Sequence, residues 1–440
     1  MGASGFSGPG NQKQTPSLWE GITRQHWLVF LGCWLGGIFD GMDSTLYTVV
    51  QFDAIAEVAH TMERSVISGI GSNIMAIFLL GWVAGGIVFG MIGDKFGRVS
   101  AMIGSILLYA LFTGAAGLSQ TPEQLGLCRF LTGFGIGGEL VTIATMLSEV
   151  WPERSRAIAV GSLITSYQVG FFLAGLVPNL IFQFADGWDI SGWRLVFFVG
   201  ALPALLAIVL RLQMKESQKW QLAQDNASLG VSAHQHLPLV AIFKKEHARN
   251  LTIGALTFGG LLIGYWASLV WIPTWIQDLI GPTAINGTEK TIATMFHGIS
   301  AVLGCISSGF LADAIGRRKT IIFGYFGCFA SSWLLFTTNQ TFSEAIYWQD
   351  ALLGYFIGLS QAIMYVYLPE LFPTRIRATA VGFCLNAGRT VTAVAVFFVG
   401  TMVTLFGGYD KALLVFSGSY LIAVVAGFFG HETKGQPLPD

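Results

Sequence analysis

Apolar residues run along this chain in windows of roughly 20 or more, long enough to cross a bilayer. These windows fall at about 26–50, 65–92, 99–118, 123–148, 156–182, 193–211, 250–278, 291–312, 320–338, 345–368, 377–404 and 411–430. Each predicts a membrane-spanning helix, numbered span 1 to span 12. One long polar segment interrupts them, residues 212–249, with the mixed-charge runs MKESQKWQLAQDN and FKKEHARN. Residues 1–23 have no apolar core of the signal-peptide kind. The pattern divides the chain into a tail (1–25), six helices (26–211), a linker (212–249), six more helices (250–430) and a second tail (431–440).

Composition agrees with the pattern: 53% of residues are hydrophobic and 11% charged. That charged share is well below the roughly one quarter of a soluble domain. A net charge of −1 and the lack of a dense basic run argue against a nucleic-acid partner. The five cysteines, Cys33, Cys128, Cys305, Cys328 and Cys384, all lie inside apolar spans and read as buried thiols. Of the 24 Lys and Arg residues, 18 fall on one side when the N-terminus is placed inside, and four on the other. Both termini are therefore expected to face the cytoplasm.

The chain also repeats itself. SEVWPERSRAIAVG (148–161) and PELFPTRIRATAVG (369–382) share eight of fourteen residues at an offset of 221. FLTGFGIGG (130–138) aligns with ALLGYFIGL (351–359), and GDKFGRVSAM (93–102) with ADAIGRRKTI (312–321). Two parallel six-helix repeats are an architecture of transporters, with the binding site near the midplane between them.

With these motifs on the page, the sequence resembles the major facilitator superfamily. GDKFGR (93–98) and ADAIGRR (312–318) are similar to its signature loops, RFLTGFGIGGE (129–139) to its helix-4 signature and PELFPTRIRA (369–378) to the segment closing helix 10. Ala312 stands where the family often has Gly. The resemblance implies an all-α integral membrane fold of 12 transmembrane helices in two pseudo-symmetric six-helix bundles. DGMDS in span 1 is similar to the pattern of aromatic-acid, sialate and monocarboxylate proton symporters, and GFCLNAGR (382–389) to organic-anion transporters with an arginine there.

The loop residues Asp94, Arg98, Asp313 and Arg317 sit at cytoplasmic helix ends. Glu149 with Arg154 or Arg156, and Glu370 with Arg375 or Arg377, supply partners for breakable locks between the halves. The plainer reading of these basic loops is that they only fix topology.

Inside the spans, ionisable residues are costly and need a reason. By helix rise, Asp40 lies near the midplane of span 1, and Asp43 lies farther out at the depth of Arg129 in span 4. Asp43 is expected to accept the proton and Arg129 to pair with its ionised form. The alternative is a static ion pair joining spans 1 and 4. Sugar porters resemble this arrangement in having a helix-1 aspartate opposite a helix-4 arginine. Asp40 either tunes Asp43 or faces substrate. Glu139, in the inner half of span 4, either relays protons or accepts a structural hydrogen bond.

Arg389 in span 11 lies near the midplane, and its repeat counterpart is Gln168 in span 5. The guanidinium can take a substrate carboxylate bidentately or neutralise an aspartate. Gln168, Tyr265 and Trp266 are deep enough to line a cavity. His297 in span 8 reads as a satisfied polar residue.

These features predict a secondary transporter in the plasma membrane (the inner membrane if Gram-negative), coupling protons to a small organic anion. The functional unit is expected to be monomeric, with the bilayer as its surroundings and no cofactor or metal. Transport of an organic cation or neutral sugar, or a non-transporting sensor, are the alternatives. No nucleotide loop, metal-ligand cluster or nucleophile constellation suggests an enzyme.

Overall fold

The computed structural model describes residues 21–184, 190–228, 238–280, 288–397 and 399–439. The first half comprises span 1 (Arg24–Val58), span 2 (Arg64–Phe96), span 3 (Arg98–Ala116), span 4 (Pro122–Val150), span 5 (Arg156–Leu163 continued by Thr165–Phe184) and span 6 (Gly192–Leu212). The second half comprises span 7 (Lys245–Ile280), span 8 (Thr288–Ile315), span 9 (Arg317–Thr338) and span 10 (Ala345–Glu370). Span 11 (Arg377–Phe397 continued by Val399–Phe406) and span 12 (Tyr409–Ser417 continued by Ser419–Phe428) complete it. The linker holds two shorter helices, Gln218–Ser228 and Pro238–Ile242. No strand occurs among the described residues.

Several helices outrun their apolar windows. Span 1 continues through Asp53 and Glu57 to Val58, because hydrogen bonding propagates into polar sequence once a helix is nucleated. Two spans break where hydroxyl side chains compete for backbone carbonyls. In span 5, Thr165 Oγ1 donates to the Ser162 carbonyl at 2.7 Å and Ser166 Oγ to that of Leu163 at 2.6 Å. In span 12 the break falls at Gly418, after Ser417 has turned its hydroxyl onto the Leu414 carbonyl.

Spans 2 and 4 cross closely because Gly85 and Gly137 set no side chain between the two backbones. A Cβ at either would strike the partner helix's carbonyl, that of Phe134 or Trp82. Spans 8 and 10 cross in the same way through Gly304 and Gly358. The halves meet along two seams, span 2 against span 11 and span 5 against span 8, which the internal repeat exchanges. The outward faces carry exposed large apolar residues such as Leu111, Phe172, Leu303 and Phe326. In water such a surface would be an aggregation patch; here it is the face of a multi-pass membrane protein.

The second tail is not a loose end. Residues 431–439 lie against the basic-loop end: the Tyr367 hydroxyl donates to the His431 carbonyl at 2.9 Å, and Leu438 is buried. Most of the first tail lies outside the described residues.

Candidate functional site

Asp43 and Arg129, on spans 1 and 4, do meet. Arg129 Nη1 lies 3.4 Å from Asp43 Oδ2, and its Nη2 donates to the Asp43 carbonyl at 3.4 Å. Thr113 of span 3 donates to Asp43 Oδ1 at 2.8 Å. Arg129 has no exposed surface, and its guanidinium is boxed by aromatic rings. It stands 4.5 Å from the Phe78 centroid, 5.3 Å from Tyr47 and 5.9 Å from Phe197. Four spans and span 6 thus enclose one carboxylate and one cation. A buried cation facing π-clouds depends less on its counter-ion than one facing aliphatic walls.

Asp40 lies elsewhere. It is fully buried and within electrostatic reach of Tyr167 in span 5 and Tyr365 in span 10. Those two tyrosines belong to a second cluster around Arg389. The Arg389 guanidinium lies 4.2 Å above the Trp82 ring, donates to Asn386 Oδ1 at 2.7 Å and comes within hydrogen-bonding reach of Tyr365. Tyr265 joins from span 7, within hydrogen-bonding reach of Gln168, and packs edge-on against Trp266 with centroids 5.9 Å apart. The Tyr167 hydroxyl is 3.2 Å from Ser44 Oγ. Arg389, Gln168, Tyr265 and Trp266 are therefore brought together from both halves. The break in span 5 falls just before Tyr167 and Gln168.

Sequence reasoning missed Tyr167, Tyr365, Trp82 and Asn386. Asn386 lies one turn before Arg389, so the i, i+3 neighbour was an available signal there, whereas nothing in the sequence spacing singled out Tyr167, Tyr365 or Trp82. Glu139 is not part of either cluster. It is buried on span 4, ten residues along from Arg129, and accepts from Ser105 of span 3 at 2.9 Å. His297 forms a buried pair with Asp350 of span 10, Nδ1 to Oδ1 2.9 Å.

At the basic-loop end the twin loops turn at Gly97 (φ +103°) and Gly316 (φ +100°), a region that side chains with a Cβ rarely enter. The turns aim Arg98 and Arg317 inward. Arg98 lies 3.0 Å from Asp94 and 2.9 Å from Glu149, and Arg317 lies 2.8 Å from Asp313 and 3.2 Å from Glu370. Bonds then cross between the halves. Asp94 accepts from Ala378 N (3.1 Å), Thr379 N (2.8 Å) and Thr379 Oγ1 (2.6 Å). Arg98 donates to the Thr374 carbonyl (2.8 Å), and Arg377 to Glu149 (2.7 Å).

The other expected arginines are elsewhere: Arg154 and Arg375 are exposed and hold neither glutamate. Arg377 takes the place by Glu149, and Arg156 lies in electrostatic reach of Glu370. The short 3-10 turn Glu153–Ser155 carries Arg154 outward before the helix at Arg156 turns back in.

Two glutamates were not anticipated. Glu216, just past span 6, accepts from the backbone N–H groups of Arg98 (2.9 Å) and Val99 (3.0 Å). Glu432, just past span 12, accepts from those of Arg317 (2.8 Å) and Arg318 (3.2 Å). Each carboxylate satisfies the free N–H groups at a helix start. The matching runs KES (215–217) and HET (431–433) do not fall at the 221-residue offset of the repeat, so the ungapped alignment passes over them.

Twelve spans in two exchanged halves, with buried ionisable clusters within and between them and apolar outward faces, make this chain a secondary transporter. It belongs to the Major Facilitator Superfamily, whose family model matches residues 33–384. Among curated proteins, it is 29% identical to the cis,cis-muconate transport protein of Acinetobacter baylyi, covering 93% of this chain and 95% of that one. It is 28% identical to a sialic acid transporter of Escherichia coli, covering 90% and 92%. Among solved structures, a proton:xylose symporter superposes with a TM-score of 0.78 at 18% identity, covering 94% of this chain and 98% of that one. At that identity the likeness concerns the fold. The relatives named here are transporters, not enzymes.

Proposed function

We propose that this chain is a proton-coupled symporter of a small organic anion, working by alternating access. Its two bundles, 26–211 and 250–430, rock about the central site, and both termini face the cytoplasm. The observation that carries this reading is the Asp43 carboxylate held between Thr113 and an aromatic-boxed Arg129. When Asp43 takes a proton, its carboxyl keeps a hydrogen-bonding neighbour in Thr113. The guanidinium meanwhile keeps the faces of Phe78, Tyr47 and Phe197, so neither state leaves a bare charge in low dielectric. That balance suits a group that must load and unload.

The anion is assigned to Arg389. Its cation sits among Trp82, Tyr167, Tyr265 and Tyr365 near Asp40, a setting that fits a carboxylate joined to a flat or ring-shaped body. Muconate and sialic acid, named for the relatives above, are both carboxylic acids. Protonation of Asp40 on substrate entry would remove a like charge from the pocket.

Counterflow in proteoliposomes across a panel of acids, bases and sugars, with and without a pH gradient, tests both parts. Acids are expected to exchange; exchange of cations alone would overturn the anion assignment. Asp43→Asn is expected to lower gradient-driven accumulation by about ten-fold or more while leaving counterflow within about two-fold. Unchanged pH-driven accumulation would remove Asp43 from the mechanism.

A further inference from the structure

Spans 7 and 12 touch tightly at mid-height and part towards the basic-loop end. At the contact, a Cβ on Gly260 would meet the Ser419 carbonyl and one on Gly264 would meet the Tyr420 ring, and Ser419 Oγ donates to the Gly260 carbonyl at 2.8 Å. One to two turns nearer the basic end, span 7 presents Ile253 and Leu256, and the helices splay into a lateral groove of about 810 Å³. Leu421, Ile422 and Val425 form the other wall and Phe429 closes the end. Leu256, Ile422, Val425 and Phe429 are exposed, so the groove opens towards lipid rather than towards the central site.

The rim is charged in one sense. Arg249 of span 7 donates through Nη2 to the Phe429 carbonyl at 3.0 Å, and Arg318 of span 9 donates through Nη2 to the neighbouring Phe428 carbonyl. Two guanidinium groups are thus fixed on consecutive peptide carbonyls at the end of span 12. A guanidinium has five N–H donors, and each of these has donors left over. Among the described residues, neither lies within ion-pair distance of a carboxylate: Glu246 is turned to His247, and Glu432 caps the start of span 9. Lys244, Lys245 and Lys319 stand exposed nearby in sequence. A second lipid-facing groove, about 570 Å³ between spans 9 and 10, makes a contrast. Phe323, Phe326, Trp333 and Phe356 help to line it, and no charged side chain does.

We propose that the groove between spans 7 and 12 is a binding site for an anionic phospholipid of the cytoplasmic leaflet. One acyl chain lies along Ile253, Leu256, Ile422 and Val425, and the phosphate is held between Arg249 and Arg318. A phosphate oxygen suits charge-assisted donation from two fixed guanidinium groups, and basic pockets between helices on this side are suited to such headgroups. The other groove takes acyl chains without choosing a headgroup. The site does not depend on what the transporter carries.

Native mass spectrometry of the full chain, offered equal phosphatidylglycerol and phosphatidylcholine, tests the assignment. The first retained lipid is expected to be phosphatidylglycerol by about ten-fold. The double variant R249Q/R318Q is expected to bring the two lipids near parity. A control losing the same charge from the other half, K95Q/K215Q, is expected to keep the preference. Ile422→Trp, which fills the groove without touching charge, is expected to reduce the retained phosphatidylglycerol. Equal binding of both lipids to the unaltered chain would mean bulk lipid only and overturn the proposal. So would a control that loses the preference as fully as R249Q/R318Q, or an Ile422→Trp variant that binds as before. Four of the five positions are exposed and Arg318 is half-buried, and monodisperse elution of each variant checks its fold.

Discussion

The two loop clusters at the basic end are built from the same parts and do different work. In the first, Arg98 joins Asp94 and Glu149, with Glu216 on the following helix start. In the second, Arg317 joins Asp313 and Glu370, with Glu432 in the matching place. Yet Asp94 uses both oxygens on the opposite half, at Ala378 and Thr379, whereas the Asp313 side chain is 28% exposed and its Oδ2 has no hydrogen-bond partner. Arg377 is bonded across to Glu149, while its counterpart Arg156 reaches Glu370 only through space and leaves Nε unpartnered. The seam between spans 2 and 11 is latched, and the seam between spans 5 and 8 is only adjacent. Duplication of a fold therefore need not duplicate its energetics: a two-fold arrangement can place nearly all its breakable bonds on one side.

Three substitutions break or sharpen this contrast. Asp94→Asn loses the charge that Arg98 and three donors of the other half share, and turns an amide N–H₂ towards an N–H or O–H donor. It is expected to weaken closure of this end by about 3 kcal/mol or more and to slow counterflow at least about ten-fold. Arg377→Gln leaves Glu149 its bond to Arg98, so the expected cost is about 2 kcal/mol, read as a several-fold slower exchange. Asp313→Asn removes a partly exposed partner and is expected to cost about 0.5 kcal/mol, within about two-fold in rate. Equal losses at Asp94 and Asp313 in the same assay would erase the asymmetry.

How much of this was readable from sequence varied with the range of the interaction. The spans followed from apolar length, and the meeting of Asp43 with Arg129 followed from depth, since antiparallel helices of known direction align residues by height. Arg389 followed from its depth in span 11, and Gln168 from the repeat. Tyr265 and Trp266 followed from depth in span 7, but Tyr167 and Tyr365 did not, because they come from spans 5 and 10 and their convergence on Arg389 depends on helix rotation. Rotation also decided the loop arginines: Arg154 and Arg156 are two residues apart, and a 3-10 turn sends one to water and the other inward. The aromatic box around Arg129 was hidden for a similar reason, because Phe78 and Phe197 look like ordinary spanning residues until the packing is known.

The caps supplied by Glu216 and Glu432 extend the duplicated unit beyond its sixth helix. Each bundle carries a short strap that buckles it, so residues 215–217 and 431–433 play equivalent parts in the two halves. A reporter protein fused directly behind residue 439 is therefore attached to a working component. Cutting the chain into co-expressed halves, likewise, leaves the first half whole only when the break falls after Ser217.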